Sequence, residues 1–407
     1  MNGGDTAFVL LSAALVFLMI PGVAFFYAGL GSRKNLVNNM TSSISVVGLS
    51  TIMWVLLGYS LTFGESILGF IGKLDFSSLS KNFTFAPSPY ANGIPSSAFI
   101  IFQMMFALLT PALIVGAIEG RMRFKALFLF LPLWSLFVYY PVTHMNWAKG
   151  GLLGAEHMGA VDFAGGNVVH ISSGVTGLVL AMLLGKRKEY RETTYHNVPF
   201  VLLGTILLWF GWLGFNSGSA LSANSIAAHA FLTTMVSASS AFLVWIFLSV
   251  IRKRRAKLTS ACVGAIVGLV SITPGAGYVP VWASIIIGAF GAIFSYIAVR
   301  LVRRKFKIDD VSDVFACHGV GGIWGGIATG IFSNPNINSA VKQGLIFGKF
   351  SQFLAQFASI IVTIIVVFVG TLICSYITSA FTKLRASEKE EESGMDISQH
   401  EEEAYYA

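Results

Sequence analysis

Two histidines stand in apolar surroundings where an ionisable ring is unusual. His318 lies in DVFACHGVGGIWGG (313–326), and His170 ends VDFAGGNVVH (161–170). Neither has a charged neighbour within one helical turn on either side. Such a histidine is either a hydrogen-bonded core residue or a functional group. The choice depends on whether the chain is soluble and whether the two rings can meet.

The composition indicates a membrane protein. The chain has 407 residues, of which 55% are hydrophobic and 11% charged, whereas a soluble domain has about 25% charged residues. Apolar stretches recur that are long enough to cross a ~30 Å hydrocarbon core. The sequence therefore predicts an all-α polytopic membrane protein with eleven transmembrane helices. They are expected at 6–29, 41–63, 97–119, 126–142, 166–185, 198–217, 226–251, 259–273, 279–299, 311–332 and 353–382.

The basic residues predict the orientation. With the N-terminus outside, the cytoplasmic connections hold 22 of the 27 lysines and arginines, as the positive-inside rule requires. The net charge of +8 thus orients the chain in the cell membrane and does not indicate a nucleic-acid partner. The longest external loop is 64–96. The acidic segment 387–407 is predicted to be a cytoplasmic tail.

A weak internal repeat places the two histidines in equivalent positions. Aligning residues 161–177 with 309–325 superposes His170 on His318 and Asp162 on Asp310. The two predicted helices cross in opposite directions, the signature of an inverted repeat. Each aspartate precedes its histidine by eight residues, or ~12 Å of helix rise. We therefore expect the aspartates near opposite membrane faces and the histidines at mid-depth, facing each other.

A pair of imidazoles can share a proton, because one ring donates while the other accepts. Such a pair resists carrying two charges in an apolar site, so it suits a small polar solute and can relay a proton. Two histidines are too few for a typical zinc site, and Cys317 is expected on another helix face. No metal, cofactor or enzymatic activity is therefore expected. The small residues Gly322, Gly326 and Gly330 would let their helix approach a neighbour closely.

Aromatic residues at the predicted outer face form a second group. Phe102 and Phe106 are one turn apart, Phe215 and Ser219 share a helix face, and Trp147 falls just outside the fourth predicted helix. Each residue alone is more often a packing residue or an interfacial anchor. Together, an aromatic cage with a hydroxyl would bind a small cation. Asp162 would add negative potential there or cap the start of the fifth helix.

These segments resemble the ammonium transporter family, specifically the Amt/Mep branch of the Amt/Rh proteins, and the likeness covers essentially the whole chain. Besides the segments quoted above, it rests on PGVAFFYAGLGSRKN (21–35), VGAIEGRMRF (115–124), GWLGFNSGSA (211–220), ITPGAGYV (272–279) and GMDISQHEEEAY (394–405). The tryptophan and serine at the mouth fit the Amt/Mep branch better than the Rh branch.

The resemblance implies a fold and a set of residue roles. It implies eleven helices, the first ten as a five-plus-five inverted repeat around a narrow pore, and a homotrimer with a pore in each subunit. The implied external ammonium site consists of Phe102, Phe106, Trp147 and Ser219, with Asp162 nearby. The implied phenyl gate is Phe106 and Phe215, and the implied twin-histidine motif is His170 and His318.

The resulting expectation is a transporter of ammonium or ammonia. A membrane domain would span 1–386, with half-repeats of about 1–195 and 196–335 and an extra helix at 353–382. The tail 387–407 would be regulatory, through a PII-type signal protein in many relatives. Three alternatives remain open: an ammonium sensor that signals through this tail, a neutral-gas channel, and an intramembrane enzyme.

Overall fold

A computed structural model describes residues 1–75, 86–188, 195–253 and 255–405. Part of the predicted external loop, including Lys81, lies outside the described residues, as do the predicted cytoplasmic Arg191 and Arg254 and the last two residues of the tail. The membrane helices, α1 to α11 in chain order, are Gly3–Leu30, Arg33–Phe63, Ser96–Ile118, Phe124–Trp147, Gly166–Leu184, Val198–Gly218, Ser225–Lys253, Leu258–Ile272, Val281–Lys305, Phe315–Phe332 and Ser351–Phe381.

Ten of these helices in the described part of the chain are long and apolar enough to cross a membrane. The exception is α8, whose 15 residues rise only about 22 Å. A buried turn continues from it to Tyr278, and its backbone groups bond internally, as in the Gly275 N–H to Ile272 carbonyl contact of 2.9 Å. Irregular backbone at this depth is tolerated because it is enclosed by protein. The predicted all-helical polytopic architecture is confirmed.

Several predicted boundaries were wrong. The helix expected at 126–142 continues to Trp147, so Trp147 ends α4 rather than following it. The added turn carries the polar residue His144, whose ring is paired inside the protein: it contacts Ser66 Oγ and the Thr62 carbonyl, each at 2.8 Å. Conversely, the helix expected from 311 begins only at Phe315, because Asp313 has a left-handed φ of 57°.

Two more helices are longer than the hydropathy pattern suggests. Helix α2 begins at Arg33 rather than 41, and α9 reaches Lys305 rather than 299. The added turns carry polar or basic residues that a hydropathy window rejects, although they still complete the helical hydrogen bonding.

Glycines let corresponding helices of the two halves pack closely. A Cβ at Gly204 of α6 would stand within 2.7 Å of the backbone of Phe26 in α1, and one at Gly29 of α1 would stand 2.7 Å from the backbone nitrogen of Val201. The first helix of each predicted half therefore packs against the first helix of the other. Helices α5 and α10, the fifth of each predicted half, also meet at glycines, because a Cβ at Gly174 of α5 would stand within 2.5 Å of the backbone of Gly319 in α10.

The described extramembrane segments contain short elements. One hairpin pairs β1 (Ser66–Ile67) with β2 (Ile71–Gly72), and a second pairs β3 (Pro87–Ser88) with β4 (Ala91–Pro95). The C-terminal segment forms two six-residue helices, α12 (Glu388–Ser393) and α13 (Met395–His400). A capping box between Ser387 and Glu390 starts α12.

Candidate functional site

The two histidine rings meet at the crossing of α5 and α10. The Nδ1 atoms of His170 and His318 lie 3.3 Å apart, and the rings are inclined by 28°. His170 is 0% and His318 4% exposed. The Nε2 atom of His170 is buried without a hydrogen-bond partner among the described residues. The pair therefore keeps one ring nitrogen available to a small solute.

Both histidines lie in π-helical turns. One turn spans Gly166–Ile171 and the other Phe315–Val320. Such turns shift side chains out of the regular helical register and recur at functional sites. Each turn opens its own helix, so the two rings are presented by equivalent local structures.

Reciprocal glycine contacts bring the two backbones together. Gly174 lies four residues after His170, and a Cβ there would collide with the backbone nitrogen of Gly319. Gly322 lies four residues after His318, and a Cβ there would stand 3.1 Å from the Gly166 carbonyl and from His170 Cβ. Small residues at these positions thus fix the distance between the rings.

The other two glycines of the predicted ladder face a different helix. A Cβ at Gly326 would stand 2.8 Å from Ile360 of α11, and one at Gly330 would stand 2.8 Å from Phe353. The prediction that these glycines let α10 approach a neighbour closely is confirmed. The neighbour differs along the helix, because Gly322 faces α5 while Gly326 and Gly330 face α11.

Two aspartates cap the histidine helices. The Asp162 carboxylate accepts the backbone N–H groups of Gly165, Gly166, Asn167 and Val168 at 2.5 to 3.3 Å. These contacts satisfy donors that a helix start leaves unpaired. Asp162 therefore takes the capping position that its sequence allowed, with its negative charge directed at the start of α5.

Asp310 caps α10 in the same way, accepting the N–H groups of Val314 and Phe315 at 3.0 and 2.8 Å. Because α5 begins at Gly166 and α10 at Phe315, both aspartates precede their helices. The ~12 Å of helix rise expected between each aspartate and its histidine therefore does not apply, because no continuous helix joins them.

A row of aromatic rings leads to the histidines. The rings of Phe106 and Phe215 lie 4.4 Å apart between centroids, the shortest step in the row. The centroid of the Phe215 ring also lies 6.1 Å from that of the His170 ring. Phe106 and Phe215 are both fully buried. The predicted gate residues are therefore in contact with each other next to the histidine pair.

Phe106 also contacts the outer aromatic residues. Its ring packs edge-on against Phe102 at 5.1 Å and against Trp147 at 5.6 Å. The Trp147 indole N–H donates to the Asp162 carbonyl at 2.7 Å, which holds the indole in place. The structure therefore brings together Phe102 and Phe106 of α3 with Trp147 of α4, two separate segments of the sequence.

Ser219 follows the last residue of α6 and is half-buried. Its hydroxyl donates to the Phe215 carbonyl at 2.9 Å. A hydroxyl that donates its only proton to the backbone keeps its lone pairs available. Ser219 is thus arranged to accept an N–H group from a solute.

Trp212 belongs to this row, and sequence reasoning missed it. Its indole is stacked on the ring of His170, with centroids 5.2 Å apart at 23°. Its N–H donates to Thr273 Oγ1 at 2.9 Å. The available signal was its spacing, because Trp212 precedes Phe215 by three residues and therefore shares its helix face.

The described residues contain no group of three or more histidine, cysteine or acidic side chains able to hold a metal ion. Cys317, next to His318, packs instead with Ala241, Trp245, Val267 and Ala292. The donors near the pair are imidazole nitrogens surrounded by apolar rings. This arrangement can bind a small hydrogen-bonding solute and move a proton between two nitrogens.

The C-terminal segment docks against the ends of several membrane helices. The Asp396 carboxylate accepts the N–H of Asn38 at 2.8 Å, and Asn35 Oδ1 accepts the N–H of Met395 at 2.9 Å. Glu390 pairs with Arg123 at 2.9 Å. The tail therefore contacts the starts of α2 and α4.

The tail also reaches the segment that follows α5. Lys188 pairs with Glu388 at 3.0 Å and with Glu392. Arg385 pairs with Glu391 at 2.6 Å and donates to the Leu184 carbonyl at 2.8 Å. Movement of the tail can thus be coupled to the ends of three membrane helices.

Comparison with known proteins gives one consistent result. A family model described as Ammonium Transporter Family matches residues 7–405. The ammonium transporter of Bacillus subtilis is 46% identical over 407 residues, covering 100% of this chain and 99% of the relative. The ammonium transporter Amt1 of Archaeoglobus fulgidus is 42% identical over 409 residues and is covered completely.

Solved structures show the same architecture. Saccharomyces cerevisiae Mep2 superposes with a TM-score of 0.88 at 34% identity, covering 95% of this chain and 88% of that one. A structure described as a sensor Amt protein gives a TM-score of 0.87 at 27% identity, covering 98% of each chain. With its multi-pass helical fold and its paired histidines, the chain belongs to the ammonium transporter family.

Proposed function

We propose that this ammonium transporter recruits external ammonium at its aromatic cage and conducts it inward as ammonia past the histidine pair. The observation that carries this proposal is the 3.3 Å contact between the two imidazoles. It lies at the end of a row of buried rings, next to a ring nitrogen without a partner among the described residues. A neutral hydrogen-bonding solute fits these surroundings.

The cage selects the cation. The faces of Trp147 and Phe102 attract positive charge, and Ser219 Oγ accepts an N–H. Water and neutral solutes gain nothing from the aromatic rings, so ammonium is enriched at the mouth.

The gate then favours loss of a proton. The side chains of Phe106 and Phe215 offer no hydrogen bonds to a passing solute. Moving a bare ion between them would therefore cost several kcal/mol at least. Ammonia, which is neutral, has a much smaller desolvation penalty than ammonium. His170 accepts the released proton at its unpartnered Nε2, its Nδ1 proton passes to Nδ1 of His318, and His318 releases the proton from its own Nε2. Ammonia passes the pair as a neutral molecule held by hydrogen bonds.

This mechanism explains discrimination against potassium. Potassium and ammonium are similar in size, but only ammonium can lose a proton. A pathway that conducts only a neutral solute therefore discriminates between the two ions, whereas a pore that selects by size does not.

The test is uptake into liposomes that contain the purified protein. Labelled methylammonium uptake should be competed by ammonium and left unchanged by the same concentration of potassium. Competition by potassium comparable to that by ammonium would contradict the proposal. Equal uptake by empty liposomes would contradict it as well.

We propose the cell membrane as the location, with the N-terminus outside and the tail in the cytoplasm, on the basis of the basic connections. The division into a membrane domain of 1–386 and a regulatory tail of 387–407 follows from this orientation. The half-repeats of about 1–195 and 196–335 and the extra helix at 353–382 complete the division.

Homotrimer formation and regulation by a PII-type signal protein are proposed by family likeness. The docked tail supports regulation, because its acidic groups pair with basic residues beside α4 and α5. Analytical ultracentrifugation of detergent-solubilised protein tests the trimer. Pull-down with a PII protein, with and without residues 387–407, tests the partner.

A second candidate function is ammonium sensing through the same tail, favoured by its contacts with the ends of three membrane helices. The likeness to a protein described as a sensor Amt protein supports this candidate. Deleting 387–407 separates the possibilities: a transporter keeps uptake while losing partner binding. A neutral-gas channel would instead ignore the membrane potential during uptake.

A further inference from the structure

A cavity away from the aromatic path lies among the ends of α7, α8 and α9. Its volume is about 150 Å³, well above the ~10–15 Å³ that a cavity needs to hold one water. It lies on the face that the charge distribution predicts to be cytoplasmic. Four arginines line it: Arg252 from α7, and Arg300, Arg303 and Arg304 from α9.

One of these arginines is held by the protein. Arg303 Nε pairs with Asp313 Oδ1 at 2.6 Å, and Arg303 Nη2 donates to the Val311 carbonyl at 2.7 Å. Asp313 is the one acidic residue in the described lining. The cavity therefore carries an excess of positive charge after this pair is formed.

Two other arginines are available for a ligand. Arg252 and Arg300 are exposed, and within the described residues neither has an ion-pair partner. They extend from neighbouring helices into the same cavity. Guanidinium groups so placed bind phosphate oxygens well, because their N–H donors match the geometry of the anion.

Aromatic and hydroxyl side chains complete the wall. Trp245 of α7 and Tyr296 of α9 pack edge-on at 5.5 Å, and Ser249 and Thr259 add hydroxyl groups. Tryptophan and tyrosine are enriched where a membrane protein meets the headgroup layer. The cavity thus has the composition of a site at the level of lipid headgroups.

Apolar side chains on the same helices are exposed on the single chain. Phe247 and Ile251 of α7 are 63% and 65% exposed, and Ile297 and Leu301 of α9 are 47% and 42% exposed. A ligand with an anionic head and long hydrocarbon chains would use both surfaces. A soluble anion would use only the arginines.

We propose that this cavity binds the phosphate headgroup of an anionic phospholipid from the cytoplasmic leaflet, with the acyl chains lying along α7 and α9. Basic pockets between transmembrane helices on this side are suited to such headgroups. The site is separate from the histidine pathway, so lipid occupancy would affect stability or assembly rather than the selection of ammonium.

The test compares lipid binding by two variants with the same change in charge. Phosphatidylglycerol and phosphatidylcholine are titrated against the purified full chain in detergent, and bound lipid is counted by native mass spectrometry. In the variant R252Q/R300Q, the affinity for phosphatidylglycerol should fall about 25-fold, since each basic residue near an anionic surface contributes about fivefold. The control is R255Q/K257Q, in the same connection but outside the cavity, and it should bind as the wild type does.

Three outcomes would overturn the proposal. R252Q/R300Q could bind phosphatidylglycerol like the wild type, or the control could lose the same affinity, which would indicate only general surface charge. Alternatively, inorganic phosphate could displace the lipid at equal concentration, which would indicate a soluble-anion site. The variant R252K/R300K keeps the charge but loses the guanidinium geometry, and it should bind phosphatidylglycerol more tightly than R252Q/R300Q and less tightly than the wild type. A misfolded glutamine variant would therefore not decide the result.

Discussion

Gly174 of α5 touches the backbone of Gly319 of α10 at the crossing that carries both histidines. A methyl group at position 174 would overlap the Gly319 nitrogen, so the helices would have to separate. We predict that Gly174→Ala destabilises the protein by about 1–3 kcal/mol, as overpacking does, and lowers ammonium uptake. Thermal unfolding and liposome uptake are the measurements.

Gly48→Ala is the matched control. A Cβ there would meet nothing within 4 Å, and alanine is favoured over glycine in a helix by about 1 kcal/mol. Gly48→Ala should therefore be neutral or stabilising. Similar behaviour of the two variants would contradict the role assigned to the crossing.

Trp212 should position His170. Its indole is stacked on that ring and anchored to Thr273. Trp212→Leu should lower the maximal uptake rate by about tenfold or more, because small displacements at a reacting centre are costly. The external apparent affinity should change little, since the cage is intact. Trp282→Leu, at a residue 49% exposed, should leave both parameters unchanged, and a pure affinity change in Trp212→Leu would argue against positioning.

Trp147 should govern affinity rather than ion selection. Losing its ring in Trp147→Leu removes a cation–π contact worth about 1–2 kcal/mol, so the apparent affinity for ammonium should weaken about tenfold. Trp147→Phe keeps a ring and should lose less. Potassium currents should stay absent in both variants, and their appearance would show that the cage itself excludes potassium.

Glu119 should make stability depend on pH. It is 1% exposed just after α3, and its Oε1 accepts the Ser32 N–H at 3.0 Å. Burial raises the pKa of Glu119 to about 7, and the positive charge of Arg187 opposes this rise.

The unfolded chain releases this proton near pH 4.3, while the folded chain keeps it to about pH 7. Stability should therefore fall as the pH rises from about 4.5 to about 7, and then level off. The apparent Tm of Glu119→Gln should lack this part of the pH dependence. The control Glu65→Gln, at a side chain 81% exposed, should keep the wild-type pH dependence of the Tm. If the Tm of Glu119→Gln changed with pH in parallel with that of the wild type, Glu119 would not be its source.

The histidine pair could be predicted because both rings sit in segments with a visible internal repeat. The gate and cage were predictable in composition, but their contacts depend on α3, α4 and α6 meeting, which no local pattern specifies. Trp212 was missed because several aromatic residues share WFGWLGF, and only tertiary packing selects the one beside His170.

Other features depend on partners far away in the chain. The acidic tail was recognised from its composition, yet its docking joins Asp396 to Asn38 across most of the sequence. Helix α4 was predicted too short because a hydropathy window rejects buried His144, whose partners Thr62 and Ser66 lie in another segment. Hydropathy reports exposure to lipid and gives no information about paired polar groups inside a bundle.

The most direct test of ammonia passage and proton relay is electrical recording, with parallel ammonium uptake, on liposomes containing the wild type or His170→Leu/His318→Leu. Wild-type protein should give an ammonium-evoked current and no potassium current. In the double variant the ammonium-evoked current should be smaller by about tenfold or more, because the proton released from ammonium has no imidazole nitrogen to move through. Unchanged uptake and unchanged current in the double variant, or a potassium current in the wild type, would contradict the account.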